Sequence, residues 1–89
     1  DVYIMGEAAQ PGKYGVAPGS TLLQVIAETG GFSKFAATKR IQLRRVDTSG
    51  TEQVYTFNYK ALEGGATLSG SPVIADGDVI IIPQRRLFE

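Results

Sequence analysis

The sequence predicts a two-layer α+β domain in which a mixed sheet of about five strands clasps one helix. Three observations carry this. A single amphipathic segment spans residues 21–29. Short β-rich segments lie on both sides of it. A wholly apolar run, Val79 to Ile82, comes near the end. A lone helix must bury its apolar stripe, and a sheet is the surface offered to it.

Asp1 to Glu7 reads as a strand, with Val2 and Ile4 on one face and Tyr3 and Met5 on the other. Gln10-Pro11-Gly12 is a turn, because Pro presets φ and Gly relieves the steric limits. Lys13 to Ala17 reads as a second strand centred on Tyr14 and Val16, broken by Pro18-Gly19. The helix follows over Thr21 to Thr29. Thr21 and Gln24 form a T-x-x-Q capping box, in which hydroxyl and amide satisfy each other's backbone donors. Leu22, Val25, Ile26 and Thr29 recur at helical spacing, with Leu23 and Ala27 widening the apolar face. Gly30-Gly31 stops it.

Phe32 to Lys39 is a connection whose aromatics, Phe32 and Phe35, are expected to plug the sheet edge or helix end. Arg40 to Asp47 reads as a strand with Ile41 and Leu43 facing one way and Arg40, Gln42 and Arg44 the other. Thr48-Ser49-Gly50 turns it into Glu52 to Tyr59, with Tyr55, Phe57 and Tyr59 on one face. Tyr59 to Glu63 is expected to make one helical turn ended by Gly64-Gly65, and a loop then holds Gly70 and Pro72. Asp76-Gly77 is a tight turn. Asp78 to Pro83 reads as a central strand buried on both faces. The resulting order, with one helix after a hairpin and an apolar strand last, fits a β-grasp (ubiquitin-like) architecture best, with a partly open barrel as the second arrangement.

The 89 residues suit one domain, and 43% hydrophobic with 20% charged residues is a globular composition. Nine Lys+Arg balance nine Asp+Glu. That balance argues against a general nucleic-acid or anionic-membrane binder, which needs a net positive surface. The absence of His and Cys excludes Ser-His-Asp and Cys-His catalysis and Cys zinc sites within the chain. Residues 1–89 read as a single domain excised from a longer protein, since the chain opens at Asp1 without a signal-like segment.

Several strings taken in order carry a resemblance. They are Val2-Tyr3-Ile4-Met5-Gly6-Glu7, Gln10-Pro11-Gly12-Lys13-Tyr14, Gly19-Ser20-Thr21-Leu22-Leu23 and Gly30-Gly31-Phe32. Arg40-Ile41, Leu62-Glu63-Gly64-Gly65 and Gly77-Asp78-Val79-Ile80-Ile81-Ile82-Pro83 follow. The set resembles the soluble-ligand-binding β-grasp domain, SLBB, with its V-x-G-E strand, P-G-x-Y turn, T-[LV]-L helix start and A-G-G-F exit. Thr29 departs from the Ala usual before the Gly pair, and Phe57-Asn58-Tyr59 departs from a V-D-L-like string. Gln84-Arg85-Arg86-Leu87-Phe88 looks like the segment after such domains in bacterial polysaccharide export proteins. The resemblance implies a non-catalytic module of a capsular or extracellular polysaccharide exporter in the periplasm or outer membrane, serving ring assembly and partner docking; the alternative is a β-grasp module that binds a soluble ligand or glycan. It implies partners as well: neighbouring subunits of the exporter ring, an inner-membrane polysaccharide co-polymerase, and the polysaccharide itself. No cofactor is implied.

The candidate contact residues are basic. Lys39, Arg40, Arg44 and Arg45 lie within seven residues, and Arg85 and Arg86 follow the last strand. Arg40, Arg44, Arg45, Arg85 and Arg86 are candidates for binding a glycan or a partner's carboxylates through forked hydrogen bonds. The alternative is a solvated face that discourages edge-to-edge pairing. Tyr3, Tyr14, Tyr55 and Tyr59 are candidates for stacking on sugars, against an expectation of sheet packing with hydroxyls at the rim. Asp76-Gly77-Asp78 lacks the oxygen series of a calcium loop and reads as a turn, so no metal site is expected. Glu7, Asp76 and Asp78 are the carboxylates near strand ends that would have to serve a glycosidase, and no enzyme is expected.

Overall fold

The structure, a computed structural model, describes residues 1–63 and 72–88. Five strands and two helices are present: β1 (Val2–Gly6), β2 (Gly12–Tyr14), α1 (Leu22–Glu28), β3 (Ile41–Val46), β4 (Glu52–Phe57), α2 (Tyr59–Glu63) and β5 (Val79–Ile82). The sheet order is β2-β1-β5-β3-β4. β1 runs parallel to β5 and antiparallel to β2, while β3 is antiparallel to both β5 and β4. This mixed sheet with α1 laid against it is the expected α+β arrangement. The Gly64-Gly65 cap and the loop as far as Ser71, Gly70 included, lie outside the described residues.

Strand alternation builds the core. Val2 and Ile4 of β1, Ile41 and Leu43 of β3, and Ile80 and Ile82 of β5 are all buried, and they meet Leu22, Val25 and Ile26 of α1. Each such side chain contributes roughly 1.5–3 kcal/mol by leaving water. The helix ends are both closed. Gln24 N–H donates to Thr21 Oγ1 at 3.3 Å, and Thr21 N–H donates to Gln24 Oε1 at 2.9 Å. At the other end Gly31 N–H reaches Ile26 O at 2.9 Å and Gly30 N–H reaches Ala27 O at 3.4 Å, a Schellman closure with both glycines at positive φ.

The two departures from the family pattern have local explanations. Thr29 is buried, and its hydroxyl donates to Val25 O at 2.9 Å, so a Thr fits where Ala is usual. Asn58 Oδ1 accepts from the N–H groups of Lys60 and Ala61 at 3.0 and 3.3 Å, capping α2 as an Asp would.

Four expectations are corrected. β2 covers Gly12–Tyr14, not residues 13–17, because its partner β1 runs out at the Val2–Tyr14 pair. Ala27 is exposed, on the outer side of α1. Phe32 does pack, edge-on against Tyr59 with ring centroids 4.7 Å apart, but Phe35 stays 51% exposed beneath the Lys34 ammonium. β5 is central yet covered on one face: Ile80 and Ile82 are buried against α1, whereas Val79 and Ile81 are half-buried on the opposite face.

Gly6 closes β1 in the left-handed region, at φ +86°. A Cβ there would collide with the carbonyl oxygen of Ile82, which accepts the Glu7 N–H at 2.8 Å. The glycine of the V-x-G-E string is thus what lets β1 leave β5.

Candidate contact surface

The sequence's basic cluster divides into three environments. Period-two alternation puts Arg44 and Arg45 on opposite faces of β3. Arg44 lies on the open face, 3.4 Å from Glu52 and 3.3 Å from Gln42 Oε1. Arg45 turns to the helix side and is consumed internally. Its Nε donates to Asp78 Oδ1 at 2.9 Å, and a terminal nitrogen donates to Asp78 Oδ2 at 2.7 Å and to Val73 O at 3.0 Å. The bonds to Asp78 raise the Arg45 guanidinium above its ordinary value, against the partial burial that lowers it.

Arg40, Arg85 and Arg86 gather at the other end of the sheet, roughly 13 Å from Arg44 along the strand. Segment 83–88 runs back beside the 33–40 connection. Ala37 N–H bonds Pro83 O, Arg85 N–H bonds Phe35 O, and Ala36 bridges Gln84. Arg40 donates to Gln84 O at 3.0 Å and Arg85 to Lys34 O at 2.8 Å, so both guanidinium stems are held. A hollow of about 590 Å³ opens here, lined by Lys34, Lys39, Lys60 and Arg85 with Ser33, Thr38 and Phe88. A second, of about 500 Å³, lies between Arg40, Arg86, Leu87 and Phe88. Six of the nine basic residues therefore share one end, and no acidic side chain lines either hollow among the described residues.

Lys34 and Lys60 were missing from the candidates read off the sequence. Neither belongs to a charged run. They reach the basic end through the crossing of 33–37 with 83–85 and through α2, which are long-range contacts.

The tyrosines do not form one platform. Tyr3 is exposed on the open face and Tyr55 stacks near Phe57 at 6.5 Å. Tyr59 meets Phe32, and the Tyr14 hydroxyl donates to Gln10 O. The carboxylates are scattered too. Asp78 is bound by Arg45 and by Ala75 N–H at 2.8 Å, which makes Asp76-Gly77-Asp78 a structural turn. The Tyr3–Val79 pairing sets Asp78 beside Val2, five residues from Glu7. That is roughly 16 Å along the strand, beyond the separation of about 5–10 Å that paired-carboxylate hydrolysis uses.

No curated protein matches the chain. A family model for the SLBB domain matches residues 2–56, from β1 almost to the end of β4, and leaves the later motifs outside the match. With more than half of its length matched, the chain belongs to the SLBB domain family.

Proposed function

We propose that this domain is a non-catalytic module of an envelope polysaccharide export protein, and that it contributes to ring assembly and partner docking. SLBB domains are binding rather than catalytic modules, and the strand-end carboxylates Glu7, Asp76 and Asp78 are each engaged by a partner. The observation that carries the reading is the basic end: Lys34, Lys39, Arg40, Lys60, Arg85 and Arg86 around two hollows, beside Leu87 and Phe88 at 88% and 97% exposure. Cations interleaved with exposed apolar groups suit the edge of a protein interface. The partners are neighbouring subunits of the same exporter and an inner-membrane polysaccharide co-polymerase, in the periplasm or at the outer membrane.

The test is charge reversal in the full-length protein. Lys39→Glu with Lys60→Glu is expected to break assembly, read as particle size, and to reduce surface polysaccharide. Unchanged assembly and export would remove the basic end from the mechanism.

A second reading is binding of a soluble anionic ligand or glycan segment. The concavity of the larger hollow favours it, with four cations and the hydroxyl-bearing Ser33 and Thr38 around one space. Amide shift mapping with uronic-acid oligosaccharides decides this reading. Shifts clustered at 33–39, Lys60 and Arg85 support it, and none at millimolar ligand removes it for that ligand.

A further inference from the structure

Among the described residues the sheet face away from α1 is open, and the strand register gives it an ordered pattern. Lys13 pairs with Tyr3, Tyr3 with Val79, Val79 with Arg44, and Arg44 with Val54, so these five side chains form one line across all five strands. Two residues further along, Met5, Ile81, Gln42 and Thr56 form a second line. Met5 is 54%, Val54 50% and Tyr3 41% exposed, and Val79 and Ile81 between them are half-buried. The result is an apolar centre with a cation toward each side and Glu52, paired opposite Val46, at the β4 edge.

From this pattern we infer that the open face docks against a second copy of the same chain, about a two-fold axis running along β5. β5 is the middle strand, so such an axis exchanges β1 with β3 and β2 with β4. Val79 and Ile81 then pack on their own counterparts. Tyr3 comes to lie over Arg44 of the other copy, twice, as ring under guanidinium. Lys13, now 3.4 Å from Asp1, comes over Val54 and reaches the neighbouring Glu52 of the other copy. Lys13, Arg44 and Glu52 each meet an opposite charge or an aromatic ring under this one operation. Face-to-face sheets pack about 10 Å apart with their strands inclined by about 30°, which lets the central side chains interdigitate. Arg44 and Glu52 are already 3.4 Å apart within one copy, exposed at 44% and 50%, and such a pair holds its partners loosely enough to be shared.

The patch sets the strength. Five strands span roughly 19 Å, and two residue lines cover well under the ~800 Å² per partner of a standard interface. The association is therefore weak on its own.

The test is the mass and amide spectrum of the 89-residue chain between about 20 µM and about 2 mM, a range chosen to bracket weak association. The apparent mass is expected to rise toward twice the monomer, with shifts confined to the two lines of open-face residues and Glu52. K13E and E52K are each expected to weaken the dimer at least about fivefold, which is ~1 kcal/mol, and the double swap K13E/E52K to restore it. Both changed positions are on the surface, and an otherwise unchanged spectrum verifies the fold. A monomer at the highest concentration overturns the proposal. So does a dimer whose shifts map to 34–40 and 85–88, or a double swap as weak as either single variant.

Discussion

Arg45 grips Asp78 through two parallel hydrogen bonds, 2.9 and 2.7 Å long, and Asp78 is 1% exposed. The pair ties the helix-side end of β3 to the turn that leads into β5. Asp78 also accepts the Ala75 N–H, so a single carboxylate organises a strand, a turn and a guanidinium.

Arg45→Ala is therefore expected to destabilise the domain by about 2–4 kcal/mol. Removing one partner of a buried pair leaves its charge stranded, and the one-third exposure of Arg45 places the cost toward the lower end. Arg45→Lys should recover little, because an ammonium cannot make the forked contact. Urea unfolding reads this directly. A loss below ~1 kcal/mol would mean that water already substitutes for the guanidinium.

Gly6→Ala is expected to cost at least about 2 kcal/mol, since Ala at φ +86° is strained and its methyl meets the Ile82 carbonyl. The Gly19 position makes the comparison. It has the same φ of +86°, with open space where a Cβ would go, so Gly19→Ala carries strain without collision and should cost less. Equal losses at the two sites would show that the collision relaxes away.

The β3–β4 hairpin should loosen in acid through Asp47. Its carboxylate accepts from the Ser49 hydroxyl at 2.6 Å and from the Thr51 N–H at 3.0 Å, and these bonds hold it below the ordinary Asp value. A carboxyl whose folded pKa is depressed adds stability that is present above the unfolded value, about 3.9, and is lost as pH falls through the folded one. Amide protection at residues 49–52 should therefore decline below about pH 4, and the Asp47→Asn variant should flatten that decline. Because Asp47 is fully exposed the effect is local. It appears in hydrogen exchange before it appears in the melting temperature.

Much of this was legible in the chain. Val2/Ile4, Ile41/Leu43 and the Thr21–Gln24 box depend on spacing within one element, and spacing is what a sequence displays. Alternation also separates Arg44 from Arg45, so grouping them by adjacency overrode a signal already present. What spacing cannot display is which distant segments meet. Lys60 joins Arg85 because α2 and the last segment both return to 33–40, and Asp78 finds Arg45 across 33 positions. The open apolar face is intermediate: each strand's outward residues were readable, but their alignment into lines follows from register, which the pairing of β5 between β1 and β3 sets.

Stability and docking should separate cleanly at the basic end. Lys39 and Lys60 line the larger hollow and are exposed, so reversing them to Glu removes mutual repulsion and little packing. Their unfolding free energies are expected within ~0.5 kcal/mol of the parent, the usual span for such surface changes. Assembly of the full-length protein responds differently, because an interface concentrates several charges on one partner surface and a reversal there repels instead of attracts. Salt supplies the control: raising ionic strength from about 0.05 to 0.5 M should weaken the parent's assembly and narrow its difference from the reversed variant, as screening predicts. If the variant assembles as the parent does at low salt, while unfolding at the same urea concentration, these six cations serve solubility and the docking surface lies elsewhere on the domain.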